Sequence, residues 1–148
     1  LLIYMKSDGF GIKSITMIKV LIVFVIRILS ACFIDIYGIG LSDTIAKEMC
    51  FKLQSLGLPC SYQNGINIKY IDNMQQHQSN VSILITTTGD NNLIKEIAKI
   101  LKNRNVYTVG ILGKKGKDLI QLCHDYLLLI LVYLKILIAY VLLLVLNT

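Results

Sequence analysis

Residues 34–49, IDIYGIGLSDTIAKEM, form an apolar run that breaks at Gly38-Ile39-Gly40 and resumes with helical spacing. A glycine turn between a strand and a helix leaves backbone N–H groups free at the helix start, where the helix dipole also favours an anion. A dinucleotide needs more than this. Its fingerprint has a third glycine where this chain has Asp43, and an acidic residue at the end of the second strand, where this chain reads Cys60-Ser61-Tyr62-Gln63. The turn therefore reads as an anion site without base recognition, made of a tight bend, the Ser42 hydroxyl and a helix N-terminus.

Working outward, strands and helices alternate. FIDIY (33–37) reads as the first strand, with residues 42–56 as its helix and Gly57 as the C-cap glycine that ends it. PCSY (59–62) is a short second strand with Pro59 at its entrance, where a missing N–H does least harm. Asn64-Gly65 marks a turn, and residues 67–76 read as a more polar helix. VSILIT (81–86) is the third strand. Residues 91–102 form a helix with Leu93, Ile94, Ile97, Ala98 and Leu101 on one stripe. VYTVGIL (106–112), a loop at 113–116, a short helix at 118–123 and a strand at 126–130 complete the pattern. Strands without strict polar alternation, separated by helices, predict an α/β fold: a three-layer α/β/α sandwich with a five-stranded parallel sheet.

ITTTGDNN (85–92) is the second turn of interest. Threonines lie at the carboxyl end of the third strand, Gly89 makes the bend, and Asp90-Asn91-Asn92 opens a helix. Each feature has an ordinary structural reading, since threonine suits strands and Asp or Asn is the usual N-cap. However, two such turns, after the first and third strands, meet at the carboxyl edge of one parallel sheet, where open α/β folds bind ligands.

The 148 residues suffice for one domain with a proper core. Hydrophobic residues make up 55% and the mean hydropathy is +0.65, an excess concentrated at the two ends. Formal charge is +6, but the lysines are scattered, apart from Lys114, Lys115 and Lys117, and read as solvated faces. No recognition helix with clustered Lys and Arg points to direct DNA binding. Cys32, Cys50, Cys60 and Cys123 have neither a C-x-x-C spacing nor a ligand spacing with His77 or His124, which argues against a metal site. They read as buried small hydrophobes in a reducing compartment, and no cofactor is implied.

The ends need separate treatment. The chain opens on Leu1 rather than Met, which reads as a fragment or a frame whose start lies upstream. Residues 15–34 are apolar but carry Lys19 and Arg27 and run without a gap into the first strand, so residues 15–30 read as a buried helix rather than a signal anchor. Residues 126–146 are apolar except for Lys135 and are long enough to span a bilayer. A buried strand followed by a packed terminal helix is the competing reading, and both stand. The division is a lead at 1–14, a folded domain at 15–130 and an apolar tail at 131–148.

Gly38-x-Gly40-x-Ser42, the helix ending KLQSLGLPC and the strand SILITTTGDN together resemble the SIS, or sugar isomerase, domain over about residues 18–130. The family's S-x-S-G-x-T pattern corresponds to Thr86-x-Thr88-Gly89-x-Asn91. Within that superfamily, IYGIGLSDTIAKEMCFKLQSLGL is most similar to the effector domain of RpiR-type transcription regulators. The resemblance implies a flavodoxin-like SIS fold, a homodimer and a cytoplasmic sensor of a sugar phosphate. It implies phosphosugar-binding roles for Gly38, Gly40, Ser42, Thr86, Thr88, Gly89 and Asn91. His77, just past the polar helix and near the edge of this site, reads either as a surface histidine or as a sugar contact. DNA contact is expected only through a helix-turn-helix domain, which this sequence does not contain.

The family also includes aldose–ketose isomerases, which shuttle a proton with a Glu or His base. Glu48, Glu96, His77, His124 and Asp125 are the candidates here. Glu48 lies well inside its helix, Glu96 falls on a solvated face, and Asp125 before a strand reads as readily as a turn residue as a partner of His124. No acid–base couple stands out, so the expectation is binding without turnover and no catalytic residue. An isomerase using His77, and a membrane-attached protein held through residues 126–146, are the alternatives.

Overall fold

The computed structural model describes residues 14–64 and 80–128. The elements run α1 (Ser14–Leu29), β1 (Phe33–Gly38), α2 (Leu41–Ser55), β2 (Cys60–Gln63), β3 (Asn80–Thr86), α3 (Asn92–Asn103), β4 (Tyr107–Leu112), α4 (Lys117–Ile120) and β5 (Asp125–Leu128). The helix expected at 67–76, His77 and the apolar tail beyond residue 128 lie outside the described residues.

The five strands form one sheet in the order β2-β1-β3-β4-β5, and every neighbouring pair is parallel. All seven residues of β3 are buried, as a central strand covered on both faces requires. Alternate side chains divide the core in two. Ile34, Ile36, Ile83 and Ile111 pack beneath Phe24 and Ile28 of α1 and Ala46, Met49 and Leu53 of α2. Tyr37, Leu84 and Leu112 pack on the other face against Ile94, Ile97 and Leu101 of α3 and Leu119 of α4. This is the three-layer α/β/α sandwich expected from the sequence. From β1 the chain moves outward to β2 through α2, whereas from β3 it moves the opposite way to β4 through α3. Right-handed crossovers in opposite directions put α2 and α3 on opposite faces. The sheet therefore has its switch point between β1 and β3, where both following turns open at the carboxyl edge.

Three local expectations need correction. Helix α1 is not buried all round: Phe24 and Ile28 face the core, while Ile22, Val23, Ile26 and Leu29 are exposed. One helix lying on one sheet face can bury only a stripe. The short helix expected at 118–123 ends at Ile120, because the N–H groups of Leu122 and Cys123 both turn back to the Leu119 carbonyl and that of His124 is taken by the Thr108 carbonyl at 2.9 Å. Of the cysteines, Cys32 is exposed, in contrast to Cys50, Cys60 and Cys123. Cys50 on α2 and Cys60 on β2 bring their sulfurs to 3.4 Å, and the Cys60 thiol donates to the Cys50 carbonyl at 3.3 Å.

Candidate functional site

The β1–α2 turn is shaped by backbone proximity. A Cβ on Gly38 would run into the Ser42 carbonyl and lie 2.9 Å from the Ala46 Cβ, so only glycine lets the first turn of α2 sit this close to the strand. Gly40 caps α2 with a φ of 63°, in the left-handed region. Ser42 is then directed inward and is only 3% exposed. Its Oγ accepts the backbone N–H of Thr87 at 3.0 Å. The turn after β1 and the turn after β3 are thereby joined across the switch point.

The β3–α3 turn is closed by its own hydroxyls. Thr86 Oγ1 accepts the Gly89 N–H at 3.1 Å, and Thr88 Oγ1 accepts the Asp90 N–H at 3.3 Å. Asn91 is the N-cap of α3, its Oδ1 taking the Ile94 N–H at 3.1 Å. Thr86 is buried, Asn91 is half-buried and Thr88 is exposed. In each of Ser42, Thr86 and Thr88 the oxygen accepts a bond while the hydroxyl hydrogen remains able to donate. Asn91 likewise keeps its NH2 group. The first amides of α3 also lack intrahelical partners, as at any helix N-terminus. The arrangement is a set of donors with no carboxylate acceptor among the four side chains, which is the chemistry an oxyanion requires.

A third segment, invisible as a site in the sequence, completes this wall. The loop between β4 and α4, Gly113-Lys114-Lys115-Gly116, docks on the β3–α3 turn. The Gly113 N–H donates to the Thr86 carbonyl at 2.8 Å and the Lys115 N–H to the Thr88 carbonyl at 3.2 Å. Gly89, with φ 81°, would carry a Cβ 2.7 Å from the Gly113 carbonyl, and a Cβ on Gly113 would collide with the Thr87 carbonyl. Lys95 ties the same segments from outside, its Nζ lying 2.9 Å from Asp90 Oδ1 and 3.0 Å from Asp118 Oδ2. The Lys95 hydrogen bond and charge hold the Asp90 carboxyl below the usual range, and Lys115 acts in the same direction. The two carboxylates in turn hold the Lys95 ammonium above its usual value. The only signal for these contacts is the pair Lys114-Lys115 between Gly113 and Gly116, followed by Lys117.

The candidate bases are not gathered at this site. Glu48 pairs with Lys52 at 2.8 Å on the exposed side of α2, and Glu96 is exposed on α3. His124 and Asp125 do not couple to each other. His124 Nδ1 accepts the Thr108 N–H at 3.1 Å, and the Tyr107 hydroxyl donates a short bond to Asp125 Oδ2. That acceptor and burial push the Tyr107 hydroxyl pKa upward, with burial the larger cause. Arg27 stacks on the Tyr107 ring 4.8 Å from its centroid. This group lies at the start of β4 and β5, about 16 Å along the strands from the turns. An open groove of about 660 Å³ between α2 and β2 is lined by residues including Lys47, Phe51 and Tyr62 and by none of the site residues. No group of three or more metal-ligating side chains occurs among the described residues.

The sheet order and the paired turns at its switch point define a doubly wound domain of the flavodoxin-like type. A family model for the SIS domain matches residues 28–146, about four fifths of the sequence, and the chain belongs to that family. The fold is similar to the sugar isomerase domain of an RpiR transcription factor from Sphaerobacter thermophilus, with a TM-score of 0.76 and 15% identity over 86% of this chain and 76% of that one. It is also similar to the Vibrio vulnificus NanR protein, solved in complex with ManNAc-6P, with a TM-score of 0.78 and 16% identity over 87% of this chain and 54% of that one. This chain thus spans about half the length of NanR. Phosphoheptose isomerase GmhA from Neisseria gonorrhoeae gives a TM-score of 0.69 at 13% identity, over 91% of this chain and 87% of that one. At these identities the likeness is one of fold. No curated protein matches the chain by sequence.

Proposed function

We propose that this chain is a phosphosugar-binding domain that senses its ligand without converting it, as the effector part of an RpiR-type regulator. Thr88, Asn91 and the uncapped amides that open α3 receive the phosphate, Gly89 makes the bend that presents them, Ser42 and Thr86 donate from the buried side, and Gly38 and Gly40 let α2 approach. His77 is assigned to the sugar. The observation that carries this reading is the Ser42–Thr87 bond, which joins two donor-rich turns at the switch point of the sheet. The similarity to NanR, solved with a sugar phosphate, supports the ligand class. The separation of His124 and Asp125 from the turns supports binding without turnover.

The proposed setting is the cytoplasm, supported by three buried thiols that form no disulfide. A homodimer is proposed on the exposed apolar stripe of α1. DNA contact belongs to a separate helix-turn-helix domain. Among the described residues, no helix is long and apolar enough to cross a membrane. Aldose–ketose isomerisation is the second reading, supported by the similarity to GmhA.

Thermal denaturation of the full chain against hexose, pentose and amino-sugar phosphates, with free sugars as controls, tests the proposal. One phosphosugar should stabilise the chain by about 2.7 kcal/mol at 100 times its dissociation constant. The shift should disappear in Thr88→Val. A folded chain that responds to none of the phosphates refutes the reading. Turnover of the stabilising ligand, lost in His77→Ala, replaces the sensor with the isomerase.

A further inference from the structure

The phosphate-binding reading leaves one part of this wall without a task. The β4–α4 loop carries Lys114 and Lys115 and is fastened to the β3–α3 turn by two backbone hydrogen bonds. The Lys115 amide donates to the carbonyl of Thr88, whose hydroxyl is the exposed donor of that turn. Those two bonds hold the loop at this position, and the glycines at 89 and 113 let the two backbones come close enough to make them. The lysine stem therefore starts from a point fixed relative to the Thr88 hydroxyl.

Charge counting separates this from an ordinary solvated lysine. Within residues 86–95 and 113–118 there are four lysines, Lys95, Lys114, Lys115 and Lys117, and two carboxylates, Asp90 and Asp118. Lys95 is engaged by both carboxylates. Lys114, Lys115 and Lys117 have no ion pair among the described residues, and Lys114 and Lys115 are exposed. Two positive charges are left over, the number a phosphate monoester dianion carries with opposite sign. Neutral hydroxyls and amides distinguish a dianion from a singly charged oxyanion or a neutral ligand only weakly, whereas an ammonium at the rim sharpens the preference.

Resting on the phosphate-binding reading, we infer that Lys115 is a direct ligand of the phosphate group, supplying the charge that selects a dianionic phosphate monoester over less charged ligands. Thr88, Asn91 and the uncapped amides that open α3 orient the oxygens. Lys115 reaches over them from the neighbouring loop as a mobile point charge and makes the affinity dependent on salt.

Titration calorimetry of the full chain with inorganic phosphate provides the test, because this probe needs no knowledge of the sugar. Lys115→Met keeps the backbone amide that holds the loop and removes only the charge. It should weaken phosphate binding about tenfold, the effect of losing one charge-assisted hydrogen bond. The loss of affinity with added sodium chloride should become shallower, and Lys115→Arg should restore most of the binding. Lys99→Met, an equal charge change on the exposed side of α3, should leave binding unchanged. If Lys115→Met binds as tightly as the parent while Thr88→Val does not bind, the inference falls and the phosphate-binding reading survives. Equal losses in Lys115→Met and Lys99→Met also overturn it, because they indicate a diffuse field rather than a ligand. If the folded parent does not bind phosphate, both fall together.

Discussion

Ser42 and Thr87 are 45 residues apart in the chain and share one hydrogen bond, the Thr87 N–H donating to Ser42 Oγ at 3.0 Å. A side chain in the first turn of α2 thereby satisfies a backbone amide in the turn after β3. This contact converts two local turns into one structure.

Ser42→Ala removes that acceptor and leaves the Thr87 amide with no partner from the protein. The expected cost is about 1 kcal/mol, toward the lower end of the penalty for an unsatisfied donor because Thr87 is half-buried. Urea denaturation followed by circular dichroism measures it. Ser42→Thr, which keeps the hydroxyl, should recover part of the loss, and an unchanged midpoint in Ser42→Ala would show that water replaces the serine at no cost.

Gly113→Ala and Gly57→Ala should differ although both add one methyl group. At Gly113 the new Cβ meets the Thr87 carbonyl, a backbone atom held by its own turn, so overpacking of about 1–3 kcal/mol is expected together with weakened ligand binding. Gly57 has φ 80° but no atom within 4 Å of its Cβ position, so Gly57→Ala should cost about 1–2 kcal/mol from backbone strain and leave binding intact. Comparing thermal midpoints and phosphate titrations for the two variants separates strain from collision.

Asn91→Ala tests whether the N-cap and the ligand donor are one residue. Loss of the cap to the Ile94 amide should destabilise the chain by about 1 kcal/mol. Asn91→Asp keeps the cap acceptor and loses the NH2 donor. It should retain stability but bind phosphate more weakly, as equilibrium titration beside a urea melt would reveal.

Alkaline pH should weaken the fold. Burial, reinforced by the hydrogen bond with Cys50, pushes the Cys60 thiol from 9.0 to about 12, and burial alone pushes Cys123 to about 12. A pKa raised on folding gives stability that is complete below the unfolded value and is lost as pH rises through the folded one. The urea midpoint should therefore fall progressively from about pH 9 to about pH 12. Lys95, also raised, adds a loss of the same sign at the upper end. The slope should be shallower in Cys123→Ala than in the parent, whatever its starting stability, and equal slopes would remove the thiol contribution.

The fold was legible because its signals are local. Gly38, Gly57, Pro59 and Gly89 punctuate the βα units, and the stripe from Ile94 to Leu101 has one clear period. The end of α4 was misread for the same reason. Leu122 and Cys123 extend an apolar helical pattern, but the His124 amide is drawn into the sheet by Thr108, a partner 16 residues away in sequence. Both turns of the candidate site could be found from residue types alone. Their junction could not, because neither the Ser42–Thr87 bond nor the Gly89–Gly113 approach leaves a trace in nearby residues. The double engagement of Lys95 depends likewise on Asp118, 23 positions further on.

The unequal exposure of the cysteines makes this chain ready for site-selective labelling. Cys32 lies exposed in the link between α1 and β1, whereas the other three thiols are buried in the core. A maleimide dye added briefly at neutral pH would mark one position without mutagenesis, since the reagent does not reach thiols buried in a packed core. That position lies at the entry of β1, at the other end of the strand from Gly38. The native sequence thus offers a fluorescent reporter attached well away from the surface it would be used to watch.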